Sequence, residues 1–172
     1  MMHTIAVRDA TEADAVNVLA LRVAIFAETE FMLWEPAEFK DSAADEAARI
    51  KRLNAASNSH FLLATEDSTL VGFCAAMGGQ VNRLRHSATL ALGVLRNHSG
   101  KGVGFALLKQ TQAWSTSAGV ARLELTVHTS NVRAVNLYLR SGFQVEGLRR
   151  KSLFVNGRYV DEYLMSNLRN EA

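Results

Sequence analysis

Three glycines at alternating positions mark the segment whose residue types are best suited to chemistry. Gly100, Gly102 and Gly104 follow an apolar run and precede a segment with helical periodicity. Glycines leave the backbone open to a ligand, and the free amides at the start of a helix attract phosphate groups. Arg96 and Lys101 add positive charge to this turn. The pattern therefore predicts a pyrophosphate-binding turn that leads into a helix.

The spacing of these glycines excludes two other phosphate-binding motifs. A Walker loop has four residues between its first glycine and a Gly-Lys-Ser/Thr triplet, and the sequence contains no such run. The dinucleotide fingerprint needs a glycine three residues after its second one, and Leu107 stands at that place. Taken alone, the turn is also compatible with a flexible connection that binds nothing.

A second segment narrows the interpretation. Residues 123–143 read LELTVHTSNVRAVNLYLRSGF, which contains, without a gap, Asn-x-x-Ala-x-x-Leu-Tyr followed after three residues by Gly-Phe. The segment resembles the later motif of the GNAT superfamily of N-acetyltransferases. Residues 99–104 resemble the Arg-x-x-Gly-x-Gly/Ala motif of the same superfamily, with Ser99 where Gln or Arg is usual. The resemblance extends over residues 4–168, and two ordered motifs make it specific.

The resemblance implies a fold and a reaction. The expected fold is of the α/β (α+β) class, a central mixed, mostly antiparallel sheet of about six to seven strands with about four helices on both faces. The expected reaction moves an acetyl group from acetyl-CoA to an amine, directly within a ternary complex. The strand before the glycine turn should splay from its neighbour and offer free backbone groups to the pantetheine arm. The residues expected to bind acetyl-CoA are Leu92, Gly93, Val94, Ser99, Gly100, Lys101, Gly102, Val103, Gly104, Phe105, Asn131, Ala134 and Tyr138.

Tyr138 is the expected catalytic residue. Its place in the motif implies a phenol near the thioester sulfur, where it would protonate the departing thiolate. The alternative is a core aromatic on an amphipathic helix, because tyrosine is often simply packed.

The group that takes the proton from the amine is left open by the sequence. One branch of the superfamily has a glutamate five residues before the motif asparagine, and Thr126 stands there. The alternatives are Glu124, His128, Glu28, Glu30 and a chain of water molecules.

The acceptor is expected to dock near the irregular segment 31–40. Glu30, Phe31 and Trp34 are the candidate acceptor-binding residues. The expected acceptor is a small primary amine, such as an amino acid or an amino-bearing xenobiotic. Two alternatives stay open: a protein N-terminus as the acceptor, and a CoA-binding sensor module without turnover.

Composition limits the class of protein. The 172 residues are 48% hydrophobic and 21% charged, which is typical of one compact domain, here expected to span residues 1–172. A net charge of +2 does not argue for a nucleic-acid partner, and no apolar run approaches the ~18 residues that cross a membrane. The single cysteine, Cys74, favours a reducing cytoplasm, and the five histidines show no metal-ligand spacing. A homodimer is compatible with the sequence.

The elements that must position these residues follow from hydrophobic periodicity and capping signals. Helices are expected after a capping box at Thr11–Asp14, from Ser42 to Ala56, from Gly102 to Ala118, and from Asn131 to Gly142. Strands are expected at Thr4–Arg8, Phe61–Thr65, Leu70–Met77, Ala88–Leu95, Arg122–His128, Gln144–Val155 and Arg158–Met165. The first helix is expected to bury Val16, Leu19, Ala20 and Val23.

Three local signals complete the expected arrangement. Asn156-Gly157, between the last two strands, is a strong hairpin signal. Gly93, inside a strand, indicates a bulge or a close approach of another group. The basic run Arg149–Lys151 is expected to be a solvated strand segment that discourages edge pairing.

Overall fold

The computed structural model describes residues 4–169, and its strands form one seven-stranded sheet. The strands are β1 (Ile5–Asp9), β2 (His60–Glu66), β3 (Thr69–Gly78), β4 (Ser87–Val94), β5 (Arg122–His128), β6 (Gln144–Val155) and β7 (Arg158–Leu168). Their order is β1-β2-β3-β4-β5-β7-β6, and each neighbouring pair is antiparallel except β4 with β5. The expected mixed, mostly antiparallel sheet is confirmed.

Four helices cover the two faces of this sheet, which confirms the expected layers. They are α1 (Ala15–Glu28), α2 (Ala43–Ala55), α3 (Val103–Ser117) and α4 (Val132–Arg140). On one face, Ile25 of α1 and Ile50 of α2 share a core with Phe61 of β2. On the other face, Leu107 of α3 shares a core with Leu62, the next residue of β2. Successive strand residues point to opposite faces, so β2 is buried on both sides. α4 packs beside α3.

The buried face of α1 differs from the expected one. Val16 and Val23 are 66% and 43% exposed, and the buried positions are Ala15, Val18, Leu21, Arg22, Ile25 and Phe26. The expectation was wrong because α1 is apolar around most of its surface, so that two stripes of helical spacing compete. The stripe that is buried includes a charge, since Arg22 pairs with the buried Glu46 of α2 at 2.5 Å.

Both predicted capping boxes are present. Ser42 Oγ accepts a hydrogen bond from the Asp45 amide at 3.2 Å, and the Asp45 carboxylate accepts one from the Ser42 amide at 2.8 Å. The box of Thr11 and Asp14 closes a single 3₁₀ turn, and α1 begins only after it. The amides at the start of α2 are thus satisfied by its own first turn.

Left-handed backbone occurs at the two predicted turns. Gly142, which follows the end of α4, has a φ of +82°. Asn156 and Gly157 have φ of +49° and +77°, which is the pattern of a type I′ turn between β6 and β7. This turn fixes the tip of the β6–β7 hairpin, which lies on one side of the groove described below.

An ion pair holds three strands together at one end of the sheet. Arg122 of β5 reaches across β7 to Glu146 of β6, with nitrogen–oxygen distances of 2.9 and 2.5 Å. Ser166 of β7 donates a hydrogen bond to the same carboxylate at 2.7 Å. The bonds from Arg122 and then Ser166 lower the pKa of Glu146 to about 2.

We expect Glu146→Gln to remove a pH-dependent part of the stability. The lowered pKa means that the carboxylate stabilises the fold above its ordinary pKa of 4.5, and that this contribution shrinks as the pH falls toward 2. The pair is partly exposed, so the loss in free energy of unfolding at neutral pH should be about 1 kcal/mol or less. Urea unfolding of both proteins from neutral pH to about pH 3 measures the difference. A difference that stays constant over this range would contradict the assignment.

Candidate active site

β4 and β5 pair over only one end of their length. Ser87–Thr89 pair in parallel with Arg122–Glu124, and the pairing ends there. β4 stays paired with β3 up to Val94, and β5 stays paired with β7 up to His128. The facing edges of β4 and β5 therefore carry backbone groups without a strand partner, and a groove of about 1200 Å³ opens beside them. This is the splay that the resemblance implied.

The glycine turn forms the wall of the groove at the start of α3. Gly100 and Gly102 have φ of +80° and +91°, and no atom lies within 4 Å of where a Cβ would stand. Glycine is needed for this left-handed backbone, and the open space lets a ligand reach the main chain. The amide of Ala106 bonds to the carbonyl of Gly102 at 2.9 Å, so the amides of residues 103–105 have no helical partner and can bind an anion.

Two further glycines serve packing. A Cβ on Gly104 would lie 2.8 Å from Leu137 Cδ2 of α4, so this glycine lets α3 and α4 approach each other. A Cβ on Gly93 would lie 2.7 Å from the ring of Phe73. β4 shows no register shift at Gly93. Of the two meanings expected for Gly93, the bulge is therefore wrong and the close approach is confirmed.

Most of the predicted site residues line this groove. Those that do are Leu92, Gly93, Val94, Ser99, Gly100, Gly102, Gly104, Phe105, Asn131, Ala134, Tyr138 and Phe31. Lys101, Val103, Glu30 and Trp34 are not part of its lining. The side chain of Val103 is buried in the core under α3, so only its backbone is left for a ligand. The ring of Trp34 packs near that of Phe39 instead, with 6.3 Å between their centroids.

The loop between α1 and α2 is joined to the β6–β7 hairpin. Asn156 Nδ2, at the hairpin tip, donates a hydrogen bond to the Glu30 carboxylate at 2.8 Å. The ring of Phe31 packs edge-on against the imidazole of His128, with 5.5 Å between centroids. Glu30 therefore helps to place this loop, while its neighbour Phe31 contributes directly to the groove.

Tyr138 belongs to the core and to the groove at once. Its ring is buried beside Phe143, with 5.7 Å between centroids, and its side chain also lines the groove. Within residues 4–169 its hydroxyl has no hydrogen-bond partner. Burial raises the pKa of this phenol well above its ordinary value, so the hydroxyl keeps its proton near neutral pH. The packed and the catalytic alternatives are therefore compatible.

Three of the candidate proton acceptors are engaged elsewhere. Glu124 lies outside the lining of the groove and binds an arginine of its own strand at 2.7 Å. Glu28 lines the groove, but its carboxylate accepts a hydrogen bond from the Arg96 amide at 2.7 Å. Glu30 is held by the hairpin tip as described. Glu124 and Glu30 are therefore not placed to receive a proton from an amine in the groove, whereas Glu28 keeps one carboxylate oxygen without a hydrogen-bond partner among the described residues.

His128 is the other candidate that lines the groove. It ends β5, is 4% exposed and lines the groove. Its Nε2 atom is buried and has no hydrogen-bond partner among residues 4–169. Buried polar atoms are nearly always paired, so an unpaired ring nitrogen in a residue that lines the groove is unusual. Since Nε2 itself is buried, an amine reaches it only when the side chains around it move.

Sequence reasoning missed an acidic residue beside His128. Glu162 of β7 is the cross-strand partner of His128 and lines the same groove. Ser152 Oγ donates a hydrogen bond to Glu162 at 2.5 Å, and Arg149 Nη1 lies 3.5 Å from the same oxygen. Arg149 was expected to be only a solvated strand residue, and the structure places it on the groove. These residues could have been predicted only by pairing the predicted strand β5 with the predicted β6–β7 hairpin.

A bulge in β6 brings these residues to the groove. After the pair Arg149–Glu162, β6 has two more residues than β7 before pairing resumes. Lys151, within the bulge, has a φ of +52°, and its amide donates to the Asp161 carboxylate at 2.7 Å. Bulges redirect side chains, and here Ser152 reaches the groove.

Comparison with known families identifies the chain. Residues 24–143 match the model of the acetyltransferase (GNAT) family. The chain belongs to the GNAT family. The matched range contains the glycine turn, β4, β5 and α4, so the resemblance of the two motifs is confirmed.

Relatives of this GNAT protein are N-acetyltransferases. The L-amino acid N-acetyltransferase AaaT of Escherichia coli is 32% identical over 109 residues, which are 63% of this chain and 67% of that protein. The N-alpha-acetyltransferase RimI of Mycobacterium tuberculosis is 31% identical over 160 residues, which are 90% of this chain and 87% of that protein.

Two solved structures share the fold. A GNAT acetyltransferase from Streptococcus pneumoniae has a TM-score of 0.93 at 27% identity, covering 96% of this chain and 100% of that one. An acetyltransferase from Salmonella typhimurium, solved with its cofactor acetyl-CoA, has a TM-score of 0.87 at 18% identity, covering 98% and 95%. The GNAT protein is an acetyltransferase, and acetyl-CoA is its co-substrate.

The groove of the GNAT protein fits acetyl-CoA. The free edge of β4 offers amides and carbonyls to the pantetheine arm, and the open glycine turn offers amides to phosphate groups. Arg133 and Arg140 of α4 line the groove and add positive charge. Asn131 Oδ1 caps α4 by accepting from the Ala134 amide at 3.2 Å, which leaves the side-chain nitrogen of Asn131 for a ligand.

Two further features are absent from residues 4–169: a cluster of potential metal ligands and a helix of transmembrane type. Within that range, His, Cys, Asp and Glu side chains form no group of three that could hold a metal ion. None of the helices there combines the length and the apolar character needed to cross a membrane.

We expect Gly102→Glu to weaken acetyl-CoA binding by more than about tenfold, because a carboxylate at the open turn would repel phosphate groups. The matched control is Gly119→Glu. Gly119 also has a left-handed φ, +71°, with no atom within 4 Å of a Cβ, and it follows the opposite end of α3. Both variants should lose similar stability, about 1–2 kcal/mol. Calorimetric titration with acetyl-CoA checks this, and equal affinities in the two variants would place acetyl-CoA elsewhere.

Proposed function

We propose that the GNAT protein acetylates the primary amine of a small molecule by direct transfer within a ternary complex. The observation that carries the proposal is the presence of Tyr138 and His128 in one groove, beside the divergence of β4 and β5. One supplies a protonated phenol, and the other a ring nitrogen without a partner. Bound acetyl-CoA supplies the acetyl group as a thioester.

The backbone of the GNAT protein does most of the binding in this proposal. Leu92–Val94 hold the pantetheine arm through their free edge, and an amide near Gly93 polarises the thioester carbonyl. The amides of residues 103–105 hold the pyrophosphate at the start of α3, where the helix dipole favours negative charge. The side chains of Ser99 and Phe105 line the same path. A carboxylate or a bulky side chain on this path would therefore exclude the co-substrate.

Two side chains move the protons. An amine that enters as an ammonium ion loses two protons when it becomes an amide. His128 Nε2 accepts the first, which frees the nitrogen lone pair for attack. As the carbon–nitrogen bond forms and the carbon–sulfur bond breaks, Tyr138 gives its phenolic proton to the sulfur and recovers one from the nitrogen. The enzyme then passes the proton on His128 to solvent.

A small acceptor is favoured by the shape of the groove near His128. Phe31 packs on the imidazole, and Met32 and Leu33 continue the apolar lining. The bond between Asn156 and Glu30 ties this loop to the hairpin tip and limits the width of the opening. The name of the relative AaaT, an L-amino acid N-acetyltransferase, agrees with an acceptor of this size.

A protein N-terminus is the second candidate acceptor, because the match to RimI extends over 90% of the chain. The deciding experiment measures acetyl-CoA consumption with amino acids, polyamines, aromatic amines and short peptides. Turnover of a small amine is expected. Turnover of peptides alone would favour the second candidate, and binding of acetyl-CoA with no turnover of any amine would favour a sensor.

We expect Tyr138→Phe to lower kcat by about 10²–10⁴-fold, because the variant lacks the proton donor. Acetyl-CoA affinity and Tm should stay unchanged, since the phenylalanine ring fills the same space. Tyr163→Phe, on β7 and outside the lining of the groove, is the matched control. Single-turnover rates separate chemistry from product release. An unchanged single-turnover rate in Tyr138→Phe would refute the role of the phenol.

We expect His128→Ala to lower kcat by about 10²-fold or more, with acetyl-CoA affinity unchanged, because the proton acceptor is lost. Free imidazole should restore part of the rate by entering the space that the side chain leaves. His60→Ala is the control, since His60 stacks on Trp114 with 5.0 Å between centroids and does not line the groove. If His128→Ala is as active as this control, Glu28 or a water chain takes the proton instead.

A further inference from the structure

The bulge in β6 creates a charged cluster next to the proposed proton acceptor. Glu162, Arg149 and Ser152 all line the groove, and Glu162 is the cross-strand partner of His128. Partners across antiparallel strands place their side chains on the same face, about 5 Å apart at Cβ. The cluster therefore lies where an acceptor amine would have to bind.

Only one of the two oxygens of the Glu162 carboxylate accepts hydrogen bonds from the protein. Both contacts, from Ser152 at 2.5 Å and Arg149 at 3.5 Å, go to the same oxygen, Oε2. In the described part of the chain, Oε1 has no hydrogen-bond partner, and it is not closed off from the groove. Since the residue as a whole is 7% exposed, the accessible part of this carboxylate lies at the groove. A carboxylate in this state attracts an ammonium group.

Arg149 is also only partly engaged. One nitrogen contacts Glu162 at 3.5 Å, which is longer than a charge-assisted hydrogen bond, and the side chain is 57% exposed. A bidentate pair, as between Arg122 and Glu146, would use two donors and hold the guanidinium in a fixed orientation. Arg149 instead keeps most of its five donors free beside the groove.

The two groups together match one ligand chemistry. An α-amino acid carries an ammonium and a carboxylate on a single carbon. Its binding site therefore needs an anionic and a cationic side chain next to each other on one wall of the groove. We propose that Glu162 and Arg149 form a subsite that binds the ammonium and the carboxylate, respectively, of a free α-amino acid. The inference rests on the proposed function and narrows its acceptor to zwitterions. The apolar lining of Phe31, Met32 and Leu153 favours an apolar amino-acid side chain.

The test compares each acceptor with its decarboxylated analogue. L-Methionine, L-leucine and L-phenylalanine are paired with 3-(methylthio)propylamine, 3-methylbutylamine and phenethylamine. The wild-type enzyme should prefer at least one amino acid over its amine by about tenfold or more in kcat/KM. Arg149→Met should abolish this preference by raising KM for the amino acid alone, and Glu162→Gln should raise KM for both members of the pair. Arg150→Met is the matched control, since Arg150 lies in the same bulge but not on the groove.

Each outcome decides the question. A wild-type enzyme that acetylates every amine as well as its amino acid overturns the subsite, even though the proposed function stands. So does an Arg149→Met variant that affects both members of a pair equally, or that behaves like Arg150→Met. If none of the amino acids and amines leads to consumption of acetyl-CoA, the proposed function itself is refuted. If Arg149→Met fails to fold, the wild-type preference and the Arg149→Lys variant, which keeps the charge but not the fork, carry the test.

Discussion

Backbone pairing between β4 and β5 ends after three residues, and the active site depends on that ending. Beyond it, amides and carbonyls on the facing edges need partners, since unpaired backbone groups are unfavourable once buried. β3 holds β4 to its last residue, and β7 holds β5 to His128, so neither strand is free to move and close the gap. The sheet thus has an opening whose free backbone groups suit a ligand with amides of its own, such as the pantetheine arm of acetyl-CoA.

A close packing contact joins the two sequence motifs in space. Leu137 occupies the volume that a side chain at Gly104 would need. Because Leu137 directly precedes Tyr138, the phenol is set at a fixed distance from the turn proposed to hold phosphate. Gly104, which the sequence predicts to contact acetyl-CoA, therefore also sets the distance between the two ends of the proposed co-substrate path. A glycine in a motif can thus be needed for the close approach of two elements as well as for access of a ligand to the backbone.

Local signals made the fold and the acetyl-CoA side predictable from the sequence. The capping box at Ser42 and the Asn156-Gly157 turn each act within a few residues, and the two GNAT motifs are continuous segments. The acceptor side was not predictable in this way. Arg149 and Glu162 meet His128 only through strand register and a bulge, and neither is encoded by a local pattern. The wrong face of α1 has a similar cause, since the buried charge of Arg22 is paired with Glu46, which belongs to another helix.

The proposed acceptor wall and the acetyl-CoA wall are built from different parts of the chain. A loop after α1 and the β6–β7 hairpin, joined by one bond between Asn156 and Glu30, make the former. β4, α3 and α4 make the latter, and β5 alone belongs to both. Mutations that accumulate in the hairpin and the loop during evolution can therefore alter the choice of amine without disturbing the donor machinery. Exchange of this hairpin and this loop is therefore the change expected to alter the choice of amine.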